Sequence, residues 1–109
     1  MKKPILIAAL SLLIPAAAMA GEAPVFNLTI KDHMFEPATL EIPVDTKVKI
    51  VVKNLDKTPE EFESHDLNRE KIIPAESETS LFIGPLAKGE YEFYGEFNPG
   101  SAKGKVVVK

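Results

Sequence analysis

Tyr91 to Lys109 reads YEFYGEFNPGSAKGKVVVK, and this stretch decides the architecture. Glu90 to Tyr94 alternates polar and aromatic residues at the period of a strand, and Lys105 to Lys109 is a second, closing strand. Between them Asn98-Pro99-Gly100 is turn chemistry. The layout is strand, short loop, strand, with the loop brought to one end of a β-sandwich. The stretch contains no Cys, His or Met. The chemistry of the chain therefore rests on carboxylates and at most its two histidines.

Working back from this stretch, the same periodicity recurs. Val25 to Ile30 alternates apolar and polar, Asp32 to Pro37 interrupts it, and Thr39 to Ile42 resumes it. Pro43-Val44-Asp45-Thr46 is a turn, followed by Lys47 to Lys53, the strongest strand pattern in the chain. Phe62 belongs to a further short strand or loop. Leu67 to Ile73 is compatible with a brief helical turn or an extended crossing. Ser77 to Ile83 is strand-like, and Gly84 to Gly89 is a turn-rich connector. About seven short strands at roughly eight-to-twelve-residue spacing, punctuated by Pro and Gly, predict an all-β sandwich.

The first twenty residues are expected to lie outside this domain. Lys2 and Lys3 precede an apolar run from Ile5 to Ala18, and Ala18-Met19-Ala20 is the small-x-small pattern of signal peptide cleavage. The run is shorter than the roughly 20 residues of a membrane span, and no Cys follows it for lipid attachment. The reading is a signal peptide, 1–20, a single domain, 21–109, and a periplasmic protein with no direct membrane anchor. Cleavage after Ala20 leaves 89 of the 109 residues and shifts the formal charge from −3 to −5. This acidity, with no basic patch interleaved with aromatics, argues against nucleic-acid binding. With no Cys in the chain, no disulfide is available, and stability falls to a packed apolar core.

Several phrases, taken in order, resemble the cupredoxin superfamily. FEPATLEIPVDTKVKIVVKN is similar to its Phe-x-Pro, strand, turn, strand, Asn opening. GEYEFYGEFNPGSAKGKVVV matches the spacing of its closing Gly-x-Tyr-x-Phe-x-Cys-x-x-His-x-x-x-Met-x-Gly pattern. The resemblance covers nearly all of residues 21–109 and implies a Greek-key cupredoxin-like β-sandwich. It places Glu60 where the first copper-binding His would stand, Gly95 at the Cys, Asn98 at the second His and Ala102 at the Met. A blue-copper centre needs a thiolate and imidazoles, so ordinary blue-copper electron transfer is ruled out.

TPEEFESHDLNREK followed by IGPLAKGEYEFYGEFNP is similar, more narrowly, to EfeO-type cupredoxin-like domain proteins. That resemblance implies a periplasmic partner of ferrous iron uptake that binds copper or iron and works with an iron permease or a periplasmic iron-binding protein. Such relatives read GEFH where this chain has Gly95-Glu96-Phe97-Asn98, so Asn98 removes one imidazole.

The candidate metal ligands are His33, Glu60, Glu63 and Glu96. His33 sits in the turn between the first two strands, which in this topology closes over the same sandwich end as the ligand loops. If Phe62 points inward, Glu60 and Ser64 share its side while Glu61, Glu63 and His65 face the other way; a bulge after Pro59 would re-aim them. Glu96 lies among Phe93, Tyr94 and Phe97, where a carboxylate needs a partner: a metal, or Lys103, Lys105 or Arg69. Imidazole with carboxylates suits Cu(II), Fe, Mn(II) or Zn(II) better than Cu(I). Against this stand simpler readings: His33 as a hydrogen-bonded turn residue, His65 as a surface residue, and Glu60-Glu61-x-Glu63 as a solvated acidic loop. Three functions follow: a metal-binding accessory protein of iron uptake, a ferroxidase needing an electron acceptor, or a metal-free interaction module of the transporter.

Overall fold

Residues 22–109 are described by the structure, a computed structural model; the expected signal peptide, 1–20, lies outside the described residues. Among these residues no helix is long and apolar enough to cross a membrane. The strands are β1 (Val25–Lys31), β2 (Met34–Glu36), β3 (Thr39–Ile42), β4 (Val48–Asn54), β5 (Glu60–Ser64), β6 (Arg69–Ile73), β7 (Ser77–Ile83), β8 (Gly89–Gly95) and β9 (Lys103–Val108). They form two sheets, ordered β2-β1-β4-β7 and β3-β9-β8-β5-β6. β1 pairs with β4 and β3 with β9 in parallel, and the remaining pairs are antiparallel.

The all-β sandwich is as expected, with nine strands among the described residues rather than about seven. β2 emerges inside Asp32 to Pro37, the stretch that interrupts the alternation. Asp32 and His33 both adopt positive φ, 53° and 59°, the geometry of a tight hairpin turn, and Lys31 then pairs with Met34. β6 resolves the open reading of Leu67 to Ile73: a turn over residues 65–68 precedes an extended strand.

Alternation builds the core. Val48, Ile50 and Val52 on β4 point inward, as do Leu28 and Ile30 on β1, and all five are buried. Three rings fill the middle. Phe62 stacks on Phe93 at 4.9 Å, and Phe35 meets Phe93 edge-on at 5.0 Å and Phe62 at 6.1 Å. Aromatic pairs at these separations contribute about 0.5–1.5 kcal/mol beyond their buried area.

The β1–β2 turn, the β4–β5 connection and the β8–β9 loop meet at one end of the sandwich. The Asp56 carboxylate accepts the amides of Asp32 and His33 at 2.8 and 2.9 Å. Ser101 Oγ donates to the His33 carbonyl at 2.6 Å. Buried Asn54 fixes the connection, donating to the Thr58 carbonyl at 2.9 Å and accepting the Asp56 amide at 2.9 Å.

Candidate metal centres

Asn54 and the segment it anchors deliver Glu60 to the start of β5 with its side chain inward. Phe62 points into the core, so Glu60 and Ser64 share its side and Glu61 and Glu63 face outward. No bulge re-aims them: β5 pairs continuously with β6 from Glu60↔Ile73 to Ser64↔Arg69.

Glu60 is only 1% exposed. Its Oε1 accepts the backbone amides of Glu61 at 2.9 Å and Phe97 at 2.8 Å, and its Oε2 accepts Asn98 Nδ2 at 2.8 Å. A buried carboxylate is costly unless its lone pairs are met, and here three N–H donors meet them. The β8–β9 loop folds around this group. Ala102 N donates to Asn98 O at 2.9 Å and Gly95 N to Ala102 O at 2.8 Å. Gly95 is needed where it stands. A Cβ there would lie 2.6 Å from both the Glu60 carboxylate and the Ala102 Cβ. Glu60, Gly95, Asn98 and Ala102 therefore do converge, as their alignment to a metal site implies.

The four expected ligands do not come together. Glu60 is inside the sandwich, while Glu63 lies on the opposite, outer side of the same strand. His33 is at the sandwich end, its ring 48% exposed and its Nδ1 3.6 Å from Asp56 Oδ2. Glu96 is exposed rather than enclosed by its aromatic neighbours. Two of the three cations named above are engaged elsewhere: Arg69 donates to the carbonyls of Phe82, Leu67 and Asn68, and Lys105 pairs with Glu90 at 3.1 Å.

A different acidic group forms on the outer face of the β5–β6 hairpin. Register sets Glu63 opposite Glu70, with Glu61 two residues along the same face. One carboxylate oxygen from each of Glu61, Glu63 and Glu70 lies within 4.8 Å of the other two. Partial burial against the sheet, then the charges of Glu70, Glu96 and Glu60, push the Glu61 carboxyl above its ordinary range. Glu63 is raised likewise, by partial burial and then by Glu70, Glu61 and Glu96, with His65 opposing. Tyr94 borders the group opposite Glu63 on β8, its Oη 3.2 Å from His65 Nε2. Its phenol is raised by partial burial and then by Glu96 and Glu63. The sequence pattern Arg69-Glu70-Lys71 reads as a solvated charge run; only the hairpin register reveals Glu70 as a neighbour of Glu63.

The profile of the family described as cupredoxin-like domain matches residues 4–108 of this chain. An uncharacterized protein of Rickettsia prowazekii (strain Madrid E) is 44% identical over 82 residues, which is 75% of this chain and 66% of that protein. The chain thus spans about two thirds of that relative's length. Among solved structures, the metal-binding domain of the Cu(I)-exporting P-type ATPase CopA of Streptococcus pneumoniae D39 superposes with a TM-score of 0.69 at 15% identity, covering 78% of this chain and 84% of that one. Auracyanin A, a blue copper protein of Chloroflexus aurantiacus, gives a TM-score of 0.69 at 11% identity, covering 81% of this chain and all of that one. At such identities the likeness is one of fold.

Copper of the blue type does not fit the sandwich end of this chain. The converging positions supply one carboxylate and one amide, with no sulfur and no imidazole, and a trigonal thiolate–imidazole centre cannot be built from them. Three protein donors already bind the carboxylate, two on Oε1 and one on Oε2. The sequence, the two-sheet topology and the span of the match agree: the chain belongs to the cupredoxin-like domain family.

Proposed function

We propose that the protein is a periplasmic accessory of ferrous iron uptake, of the EfeO type, that gathers its cation with carboxylates on the outer face of the β5–β6 hairpin. The observation that carries this reading is the juxtaposition of Glu61, Glu63 and Glu70, with Glu96 alongside. Among the described residues the ion pairs are His33–Asp56, Lys105–Glu90 and Lys109–Glu41, so none of these carboxylates is neutralised by one. A divalent cation bridging them would relieve the repulsion that raises Glu61 and Glu63. Oxygen donors favour hard cations such as Fe(II) or Mn(II), and Cu(II) over Cu(I). Export and a permease partner are supported by the N-terminal pattern and by the EfeO-type resemblance. The Streptococcus domain and auracyanin A hold copper; oxygen donors of the present kind suit capture and hand-over of a cation, not electron transfer. Oxidation of Fe(II) here would need an electron acceptor from a partner.

Anaerobic calorimetric titration with Fe(II), and separately with Cu(II), tests the reading. One equivalent should bind, and Glu70→Gln should weaken binding at least about tenfold, in the range seen for loss of one ligand-shell group. Binding that ignores Glu70→Gln and Glu63→Gln alike would remove the outer face from consideration. A second reading, a metal-free interaction module of the transporter, is favoured by one observation: the sandwich end is closed by Glu60 and needs no ion.

A further inference from the structure

We infer that Glu60 is a built-in staple that does, without metal, the loop-holding work an ion does at this end of copper-binding relatives. This does not depend on the outer-face reading above, and each can fail without the other.

Three observations carry it. First, the carboxylate bridges separate pieces of chain. Oε1 takes the amide of its own neighbour Glu61 and that of Phe97, and Oε2 takes the side-chain amide of Asn98. The strand β5 is thereby tied to the β8–β9 loop 37 and 38 positions further along. Second, the fit is steric as well as polar. The space that any side chain at position 95 would enter is filled by the Glu60 carboxylate, 2.6 Å from a Cβ built there. Gly95 thus answers to Glu60 and Ala102 together, and a side chain at 95 would displace the Glu60 carboxylate from its present hydrogen bonds. Third, no buried side-chain polar atom among the described residues lacks a partner, so neither oxygen of the staple is left without a hydrogen bond.

The consequence is a loop whose shape does not depend on metal supply. Phe97, half exposed at the sandwich end, is held through its own backbone amide on Glu60 Oε1 in the metal-starved and the metal-replete protein alike.

Hydrogen exchange of the Phe97 amide, read beside thermal unfolding, tests this. In the unaltered protein, chelator and one equivalent of Cu(II) should each leave the Phe97 protection unchanged. Glu60→Gln, which keeps the side-chain volume, should speed Phe97 exchange at least about tenfold, the factor for one lost hydrogen bond to a charged group. Gly95→Ala should lower Tm strongly when Glu60 is present and less in a Glu60→Ala background, since one of its two clashes is then gone. A chelator that alone loosens the loop would overturn the inference. So would Phe97 exchange indifferent to Glu60→Gln, or an equal Gly95→Ala penalty in both backgrounds.

Discussion

Asp56 holds a strained turn in place. Its two carboxylate oxygens accept the amides of Asp32 and His33, both at positive φ, where non-glycine residues are disfavoured. The His33 amide chiefly holds the Asp56 carboxyl below its ordinary range; partial burial opposes, and the Asp32 amide and the His33 ring add to the lowering. Because the folded value lies below the unfolded one, this stabilisation is fully present above about pH 4 and is lost as pH falls through the folded value. Asp56→Asn should cost about 1–2 kcal/mol at pH 7 in urea unfolding, and the gap should close below about pH 4. A gap constant across that range would show that the charge is irrelevant. Glu63 has the opposite sign. Its carboxyl is raised, so the folded state holds a proton more tightly than the unfolded chain, and acidification from neutral pH toward about 4.3 favours folding. Glu63→Gln should therefore raise Tm at pH 7 and flatten the gain seen on acidification; a lowered Tm would mean that Glu63 makes a stabilising contact instead. At this scale the sequence was partly legible. Alternation around Phe62 correctly sorted Glu60 from Glu61 and Glu63, because a strand's period is local. The partner of Glu60 was not legible as a hydrogen bond, because Asn98 lies far along the chain and reads by itself as turn chemistry.

The β5–β6 hairpin shows what an element adds to its residues. Phe62, fully buried on β5, stacks on Phe93 of β8 and meets Phe35 of β2, so three strands share one aromatic contact. Phe62→Ala should destabilise the domain by about 3–5 kcal/mol, measured by urea unfolding; a cost under about 1 kcal/mol would contradict the packing. The outward side of the same strand carries the acidic group, and its composition depends on register. Glu63 faces Glu70 because β5 and β6 pair without a bulge. Register is set by the turn over residues 65–68, where Ser64 Oγ accepts the Leu67 amide at 3.0 Å and donates to the Glu92 carbonyl at 2.6 Å. Neither contact is visible in a linear pattern. β2 was missed for a related reason: three residues are too few to show a period, and its turn uses Asp and His where Asn-Gly would have announced a hairpin.

At the scale of the whole molecule, the chain has the cupredoxin-like fold, while the positions that the resemblance aligns with copper ligands carry Glu60, Gly95, Asn98 and Ala102. The order of Phe-x-Pro, strand, Asn and closing hairpin was enough to read the sandwich, since each phrase encodes burial and turning rather than ligation. The candidate site was less legible: the four ligand-equivalent positions converge, but they build a closed carboxylate–amide contact, and the unpaired carboxylates lie on the outer face instead. A domain with no Cys is held by its apolar core, with Glu60 closing the sandwich end through its bonds to Phe97 and Asn98. The most direct test of this displacement is anaerobic Fe(II) calorimetry on three proteins side by side: unaltered, Glu63→Gln with Glu70→Gln, and Glu60→Gln. The account predicts one equivalent bound, weakened at least about tenfold by the outer-face pair and unchanged by Glu60→Gln. Binding abolished by Glu60→Gln and untouched by the outer-face pair would return the metal to the sandwich end and contradict it.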